Sequence, residues 1–216
     1  MKKIIYSVLE NSLDDSSKYF FEKYKNSLLI FDKELNNFFF KCKYRGEQRI
    51  SINFEFVSFD ERLSQNLIFI INNSINESSK INQEPIEKKP TTEEEIIGII
   101  NNAIFIYDRY QDISNKTIFD FVGKIFINLL RNHSFINGNK RFALTYLINM
   151  LRYFGYHLKW SKGMKKYVEI YESILEKWVV CLSSANELKD KKECYQIENK
   201  IIDFIKKNCV IALEWR

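Results

Sequence analysis

The stretch Thr117–Gly155, TIFDFVGKIFINLLRNHSFINGNKRFALTYLINMLRYFG, decides the architecture. Its first part places Ile118, Phe121, Val122, Ile125 and Leu129 three or four residues apart, the one-face spacing of an α-helix. Leu144, Leu147, Ile148 and Leu151 repeat that spacing after a polar break that begins at Asn132. Gly155 stands where a second helix would end. Working outward, Thr92-Glu93-Glu94-Glu95 reads as a capping box, with acids suited to the positive end of a helix. Ile96, Ile100, Ala103, Ile104 and Tyr107 follow as a stripe. Downstream, Met164, Tyr167, Val168, Tyr171, Ile174, Leu175, Trp178 and Leu182 keep a helical period, and Ile197, Ile201 and Ile205 mark a last helix over Glu187–Lys207. Stripes of this kind are core, not cofactor boxes.

The first part of the chain reads differently. In Arg49–Val57, Ile50, Ile52, Phe54 and Phe56 alternate with Arg49, Ser51, Asn53 and Glu55, the period of a half-buried strand. With Phe38–Tyr44 before it and Gly46 between, this predicts a β-hairpin. Ser16–Ser27 reads as a short helix, while Leu63–Asn72 fits either helix or strand. Asn73–Pro90 is polar and holds both prolines, so it reads as a linker or exposed loop. The expected fold is mainly α with a small β-hairpin. Its division is an accessory region at 1–90, a helical core at 91–182 and a C-terminal helix at 183–216.

Composition agrees. Only Gly 6 and Pro 2 interrupt a chain that is 45% hydrophobic, which favours long helices. The net charge of +5 is too mild and too dispersed to argue for nucleic acid. Cys42, Cys181, Cys194 and Cys209 show no C-x-x-C spacing, and His133 and His157 are the two histidines, so no Cys/His zinc pattern assembles. Reduced thiols in a cytoplasmic protein are the expectation. No apolar run reaches the ~20 residues of a membrane helix, and acids interrupt the N-terminus before a signal sequence could form.

Chemistry concentrates in His133-Ser134-Phe135-Ile136-Asn137-Gly138-Asn139-Lys140-Arg141. A loop here runs into a helix N-terminus, where backbone N–H groups and the dipole favour an anion. Gly138 lets the backbone turn tightly. Lys140 and Arg141 are cations at the helix end that disfavours them, which makes sense if a phosphate neutralises them. His133 is placed to act as a general base. On residues alone, a phosphate-binding loop with a catalytic histidine stands beside an ordinary interhelical loop with a surface histidine.

The segment resembles the Fic/Doc (Fido) motif, H-x-F-x-[D/E]-[G/A]-N-[G/K]-R, at the junction of two core helices. His133, Phe135, Gly138, Asn139, Lys140 and Arg141 match, and the resemblance extends over roughly Thr91–Lys177. It implies a Fido helical bundle that transfers a phosphoryl or AMP group from ATP, with Mg²⁺, to a Ser, Thr or Tyr hydroxyl of a protein target. His133 would take the hydroxyl proton, Phe135 would anchor the loop, and Gly138 would turn the backbone around the phosphates. Asn139 would bond a phosphate oxygen, and Lys140 and Arg141 would face the phosphates, with Arg141 offsetting charge in the transition state.

Two positions bear on subtype. Members that transfer AMP usually carry a second Gly where Lys140 stands and a second Arg where Leu144 stands. Lys140 and Leu144 look like the Doc branch, which transfers the terminal phosphate and is neutralised by a separate antitoxin. That adds a toxin–antitoxin role and an antitoxin partner to what the resemblance implies. Asn137 departs from the pattern, because an acid usually holds the magnesium there and an amide is a poorer ligand. A weakened or inactive Fido protein that binds nucleotide or a partner is therefore the alternative. No inhibitory [S/T]-x-x-x-E-[G/N] helix is found, since Glu198-Asn199 has Cys194 where a hydroxyl is wanted. Asp108–Lys116 is too short for the family's target-aligning hairpin.

Overall fold

The computed structural model describes residues 3–8, 29–32, 37–42, 48–81, 84–109, 117–158 and 191–211, with side chains over 57–81, 84–109, 117–158 and 195–209. Among these residues the chain is mainly helical, with five helices. Strands β1 (Lys3–Val8), β2 (Leu29–Asp32), β3 (Asn37–Cys42) and β4 (Gln48–Phe56) form one sheet in the order β1-β4-β3-β2. The expected hairpin is β3–β4, antiparallel with Phe38 opposite Ile52 and Phe40 opposite Ile50. The sheet is larger than expected: β2 pairs antiparallel with β3, and β1 pairs parallel with β4. A parallel pair needs a long crossover, so its partners cannot be found from local turn signals. The segments read as helices at Ser16–Ser27 and Met164–Leu182 lie outside the described residues.

Helix α1 (Glu61–Ser79) starts where Asp60 accepts the Leu63 N–H at 2.9 Å, a side-chain N-cap. It settles the undecided Leu63–Asn72 as helix and corrects the start of the expected linker, since Asn73–Ser79 continue the helix. Ser74 and Ser78 are both buried there, their hydroxyls donating to the carbonyls of Ile70 and Ser74 at 2.8 and 2.6 Å. This back-bonding lets small polar residues sit on an inward face, which a polarity pattern cannot reveal.

Then come β5 (Glu87–Lys88), α2 (Thr92–Arg109), α3 (Ile118–Asn132), β6 (Phe135–Asn137), α4 (Asn139–Tyr153), β7 (Tyr156–Leu158), α5 (Lys191–Asn208) and β8 (Cys209–Ile211). Every apolar residue of the expected stripes in α2 and α3 is buried, as are Leu144, Leu147 and Leu151 of α4 and Ile197, Ile201 and Ile205 of α5. Gly155, with φ 85°, follows the end of α4. At the start of α3, Asp120 accepts both the Thr117 N–H and its hydroxyl, at 2.7 and 2.6 Å.

One hydrophobic cluster joins Phe59 and the inner face of α1 to α2, α3, α4 and α5. Phe59, Tyr107 and Phe121 meet pairwise at ring-centre distances of 5.1 to 5.6 Å. Burial, then the Asp120 charge, pushes the Tyr107 hydroxyl well above the usual phenol value. Tyr146 is fully buried and donates to the Leu67 carbonyl at 2.9 Å, tying α4 to α1. No described helix is long and apolar enough to cross a membrane.

Helix α5 crosses α3 at Gly123, where a Cβ would stand 2.8 Å from Ile202 Cγ1. On the same seam Glu198 bridges Lys124 at 2.8 Å and Arg131 at 2.5 Å. Burial resists ionisation of Glu198, but the hydrogen bonds and charges of Lys124 and Arg131 outweigh it and hold the carboxyl below its usual value. A depressed carboxyl contributes stability that is present above the unfolded value of ~4.3 and is lost as pH falls through the lower folded value. Glu198→Gln should therefore cost about 1–3 kcal/mol at pH 7 in urea unfolding, and the gap from wild type should narrow progressively as pH falls below ~4.3.

Candidate functional site

The loop between α3 and α4 is built by three local devices. Helix α3 ends at His133, whose φ of 45° and ψ of 50° are left-handed. It is the sole non-glycine residue with positive φ among the described residues, and the conformation turns the chain sharply out of the helix. The chain then extends as β6, antiparallel to β5, with Phe135 opposite Lys88 and Asn137 opposite Glu87. Ile136 is the bulged residue between them and is 65% exposed. Gly138, at φ 92°, turns into α4 and supplies no capping side chain. Any side chain at Gly138 would be strained, and a Cβ would stand 2.8 Å from Ile86 Cγ1.

Phe135 anchors this loop. Its ring is 3% exposed and lies 4.7 Å from Phe142, which in turn stacks on Tyr146. Asn139 closes the loop from the other side. Its Oδ1 accepts the Phe135 N–H and its Nδ2 donates to the Phe135 carbonyl, both at 2.8 Å. The carboxamide thus serves the loop's own backbone, where the resemblance implies a phosphate oxygen.

His133, Asn137 and Lys140 are exposed around this turn. The Phe142 N–H bonds the Gly138 carbonyl at 2.9 Å, so the first-turn N–H groups of α4 precede the helix's own ladder and lie at its positive end. Arg141 does not extend into solvent: its side chain is 13% exposed, and the guanidinium donates to the carbonyls of Ile81, Glu84 and Pro85 at 3.2, 2.6 and 3.3 Å. The Glu84 carboxylate stands 3.4 Å away. An anion reaching Arg141 must displace these contacts.

The residues that brace the loop come from the segment expected to be a linker. Besides β5, Lys89 Nζ donates to the His133 carbonyl at 2.5 Å. Thr92, 1% exposed, accepts the Lys89 N–H at 2.8 Å and donates to the Ser134 carbonyl at 2.6 Å. The capping pattern is also shifted by one residue: the Thr91 carbonyl accepts the Glu95 N–H, and the Thr91 hydroxyl donates to the Glu95 carboxylate at 2.6 Å. That bond, against slight desolvation and with help from the Ser134 hydroxyl and the Lys89 charge, holds the Glu95 carboxyl below its usual value. The Ser134 hydroxyl is buried and closes no hydrogen bond of normal geometry. The local signal for an extended strap here was Glu84-Pro85, since a residue before proline is biased to extended backbone.

A divalent cation needs oxygen ligands, preferably anionic. No group of three or more His, Cys, Asp and Glu gathers among the described residues. Asn137 offers a neutral oxygen, but its cross-strand partner is Glu87, and directly paired residues share a face of the ladder. One carboxylate and one amide therefore lie together beside the turn, a set that fits a cation already held by phosphates. No family model, curated protein or solved structure matches the chain.

Because Asn139 satisfies both backbone groups of Phe135, Asn139→Ala should cost about 1–3 kcal/mol in urea unfolding. Asn139→Asp should lose part of that, keeping the acceptor but placing a negative charge against the Phe135 carbonyl.

Proposed function

We propose that the chain is a Fic/Doc-type transferase, a Fido protein that moves a phosphoryl or AMP group from ATP to a Ser, Thr or Tyr hydroxyl of a protein target. The observation that supports it most is the junction itself. An exposed His133 closes α3, and one glycine turn later α4 begins with Asn139, Lys140 and Arg141. A helix N-terminus with two cations is an anion site, and a histidine beside it can take a proton at neutral pH.

In this reading His133 removes the proton of the target hydroxyl as its oxygen bonds to phosphorus. In the phosphoryl version the bond to the departing ADP breaks; in the AMP version the bond to pyrophosphate breaks. The first-turn N–H groups of α4 and Lys140 hold the phosphates, and Arg141, once released from the Ile81, Glu84 and Pro85 carbonyls, offsets the developing charge. Asn137 and Glu87 would hold a Mg²⁺ brought by the nucleotide, which would supply charge neutralisation to the phosphates. Lys140 and Leu144 favour the phosphoryl version, and with it a toxin held in check by an antitoxin.

A second reading rests on a specific observation: Asn139 and Arg141 spend their side chains on the protein itself. A nucleotide- or partner-binding module without turnover would tolerate this.

ATP labelled at the γ- or α-phosphate, incubated with the protein and a cell lysate, separates these readings. Label from γ that disappears in His133→Ala is the expected result, whereas His133-dependent label from α would mean AMP transfer. Absence of His133-dependent label from either position rejects transfer in favour of the binding module. Asn137→Asp should raise transfer at limiting Mg²⁺, and Glu87→Gln should lower it.

A further inference from the structure

The turn that links β5 to α2 holds the candidate base by its backbone. Lys89 Nζ donates to the His133 carbonyl at 2.5 Å, and the buried Thr92 hydroxyl donates to the next carbonyl, that of Ser134, at 2.6 Å. Thr92 is itself fixed by the Lys89 N–H at 2.8 Å. Two successive carbonyls of the loop thus accept from one turn, and the β5–β6 ladder takes over at Phe135.

Some such brace is needed at His133. A left-handed residue with a Cβ carries a conformational cost of about 1–2 kcal/mol, and it persists only where surroundings enforce it. An ammonium group at the carboxyl end of α3 also answers the negative end of the helix dipole. Lys89 does both, because the carbonyl it binds belongs to the residue in the strained conformation. The backbone angles of His133 set the direction in which its imidazole leaves the chain. Among the described residues no side chain bonds the exposed ring to orient it.

We infer that Lys89 is a positioning residue: through its bond to the His133 carbonyl it fixes the direction of the His133 imidazole. The inference rests on the transferase reading for its catalytic consequence, but not for its structural one.

The test compares Lys89→Met and Lys89→Arg in the full chain. With two histidines in the sequence, the ring signals of His133 are assigned in an NMR spectrum by their loss in His133→Gln. In Lys89→Met the His133 ring signals should move and broaden and its backbone carbon shifts should leave left-handed values, while Lys89→Arg, which keeps a cationic donor, should restore them. In the label-transfer assay Lys89→Met should lower kcat roughly ten- to a hundredfold with KM for ATP unchanged, the cost of a misdirected group, and Lys89→Arg should recover most of it. Unchanged His133 signals in Lys89→Met overturn the inference, even if melting temperature falls, because that is the signature of a purely structural staple. If the wild type transfers no label, the transferase reading fails, while the His133 signals still decide the role of Lys89.

Discussion

Two hydrogen bonds between the Asn139 carboxamide and the backbone of Phe135 set the shape of the region on which everything else depends. They join the first residue of α4 to the first residue of β6 across Ile136, Asn137 and Gly138. With the Phe135 ring held against Phe142, the turn is fixed at both its side chain and its backbone. The consequence is electrostatic as much as geometric. The exposed His133, the Asn137 amide and the positive end of α4 are confined to one small surface, and that surface is rigid because its ends are tied to the core. Placing groups on a braced element, not on a free loop, is what makes a fixed geometry available to chemistry.

The strap over 84–92 is the second constraint. It touches the loop at His133, Ser134, Phe135, Asn137, Gly138 and Arg141, through carbonyls, a strand ladder and the side chain of Ile86. Its effect is two-sided. It supports the left-handed His133 and brings Glu87 opposite Asn137, yet it also occupies the Arg141 guanidinium. The same segment therefore helps arrange the proposed phosphate site and would compete with phosphate for its arginine. Arginine forks bind carboxylate or phosphate far better than neutral carbonyls, so the present arrangement is one that an anion can replace.

Much of the helical frame was legible because burial leaves a period. The stripes of α2 and α3 were read residue by residue, and the polar break between α3 and α4 lies where the turn is. What escaped depended on partners far away in sequence. The Asn73–Ser79 end of α1 is polar, and its burial is made possible by serine hydroxyls bonding their own helix, which polarity conceals. The strap looks like linker because its contacts run through a short strand ladder and to main-chain carbonyls of a distant loop, which residue types do not mark. β1 finds β4 in parallel, beyond any local turn signal. At the proposed site, residue types singled out the loop, but not the internal uses of Asn139 and Arg141, since an amide or a guanidinium serves a carbonyl as readily as a phosphate.

The most direct test of the central claim, that the α3–α4 turn is a nucleotide phosphate site, is a crystal structure of the full chain with Mg²⁺ and a non-hydrolysable ATP analogue. The account predicts the phosphates against the first-turn N–H groups of α4, beside Lys140, with Arg141 released from the carbonyls of Ile81, Glu84 and Pro85. A nucleotide bound elsewhere, or a loop whose Arg141 contacts persist at saturating analogue, would contradict it.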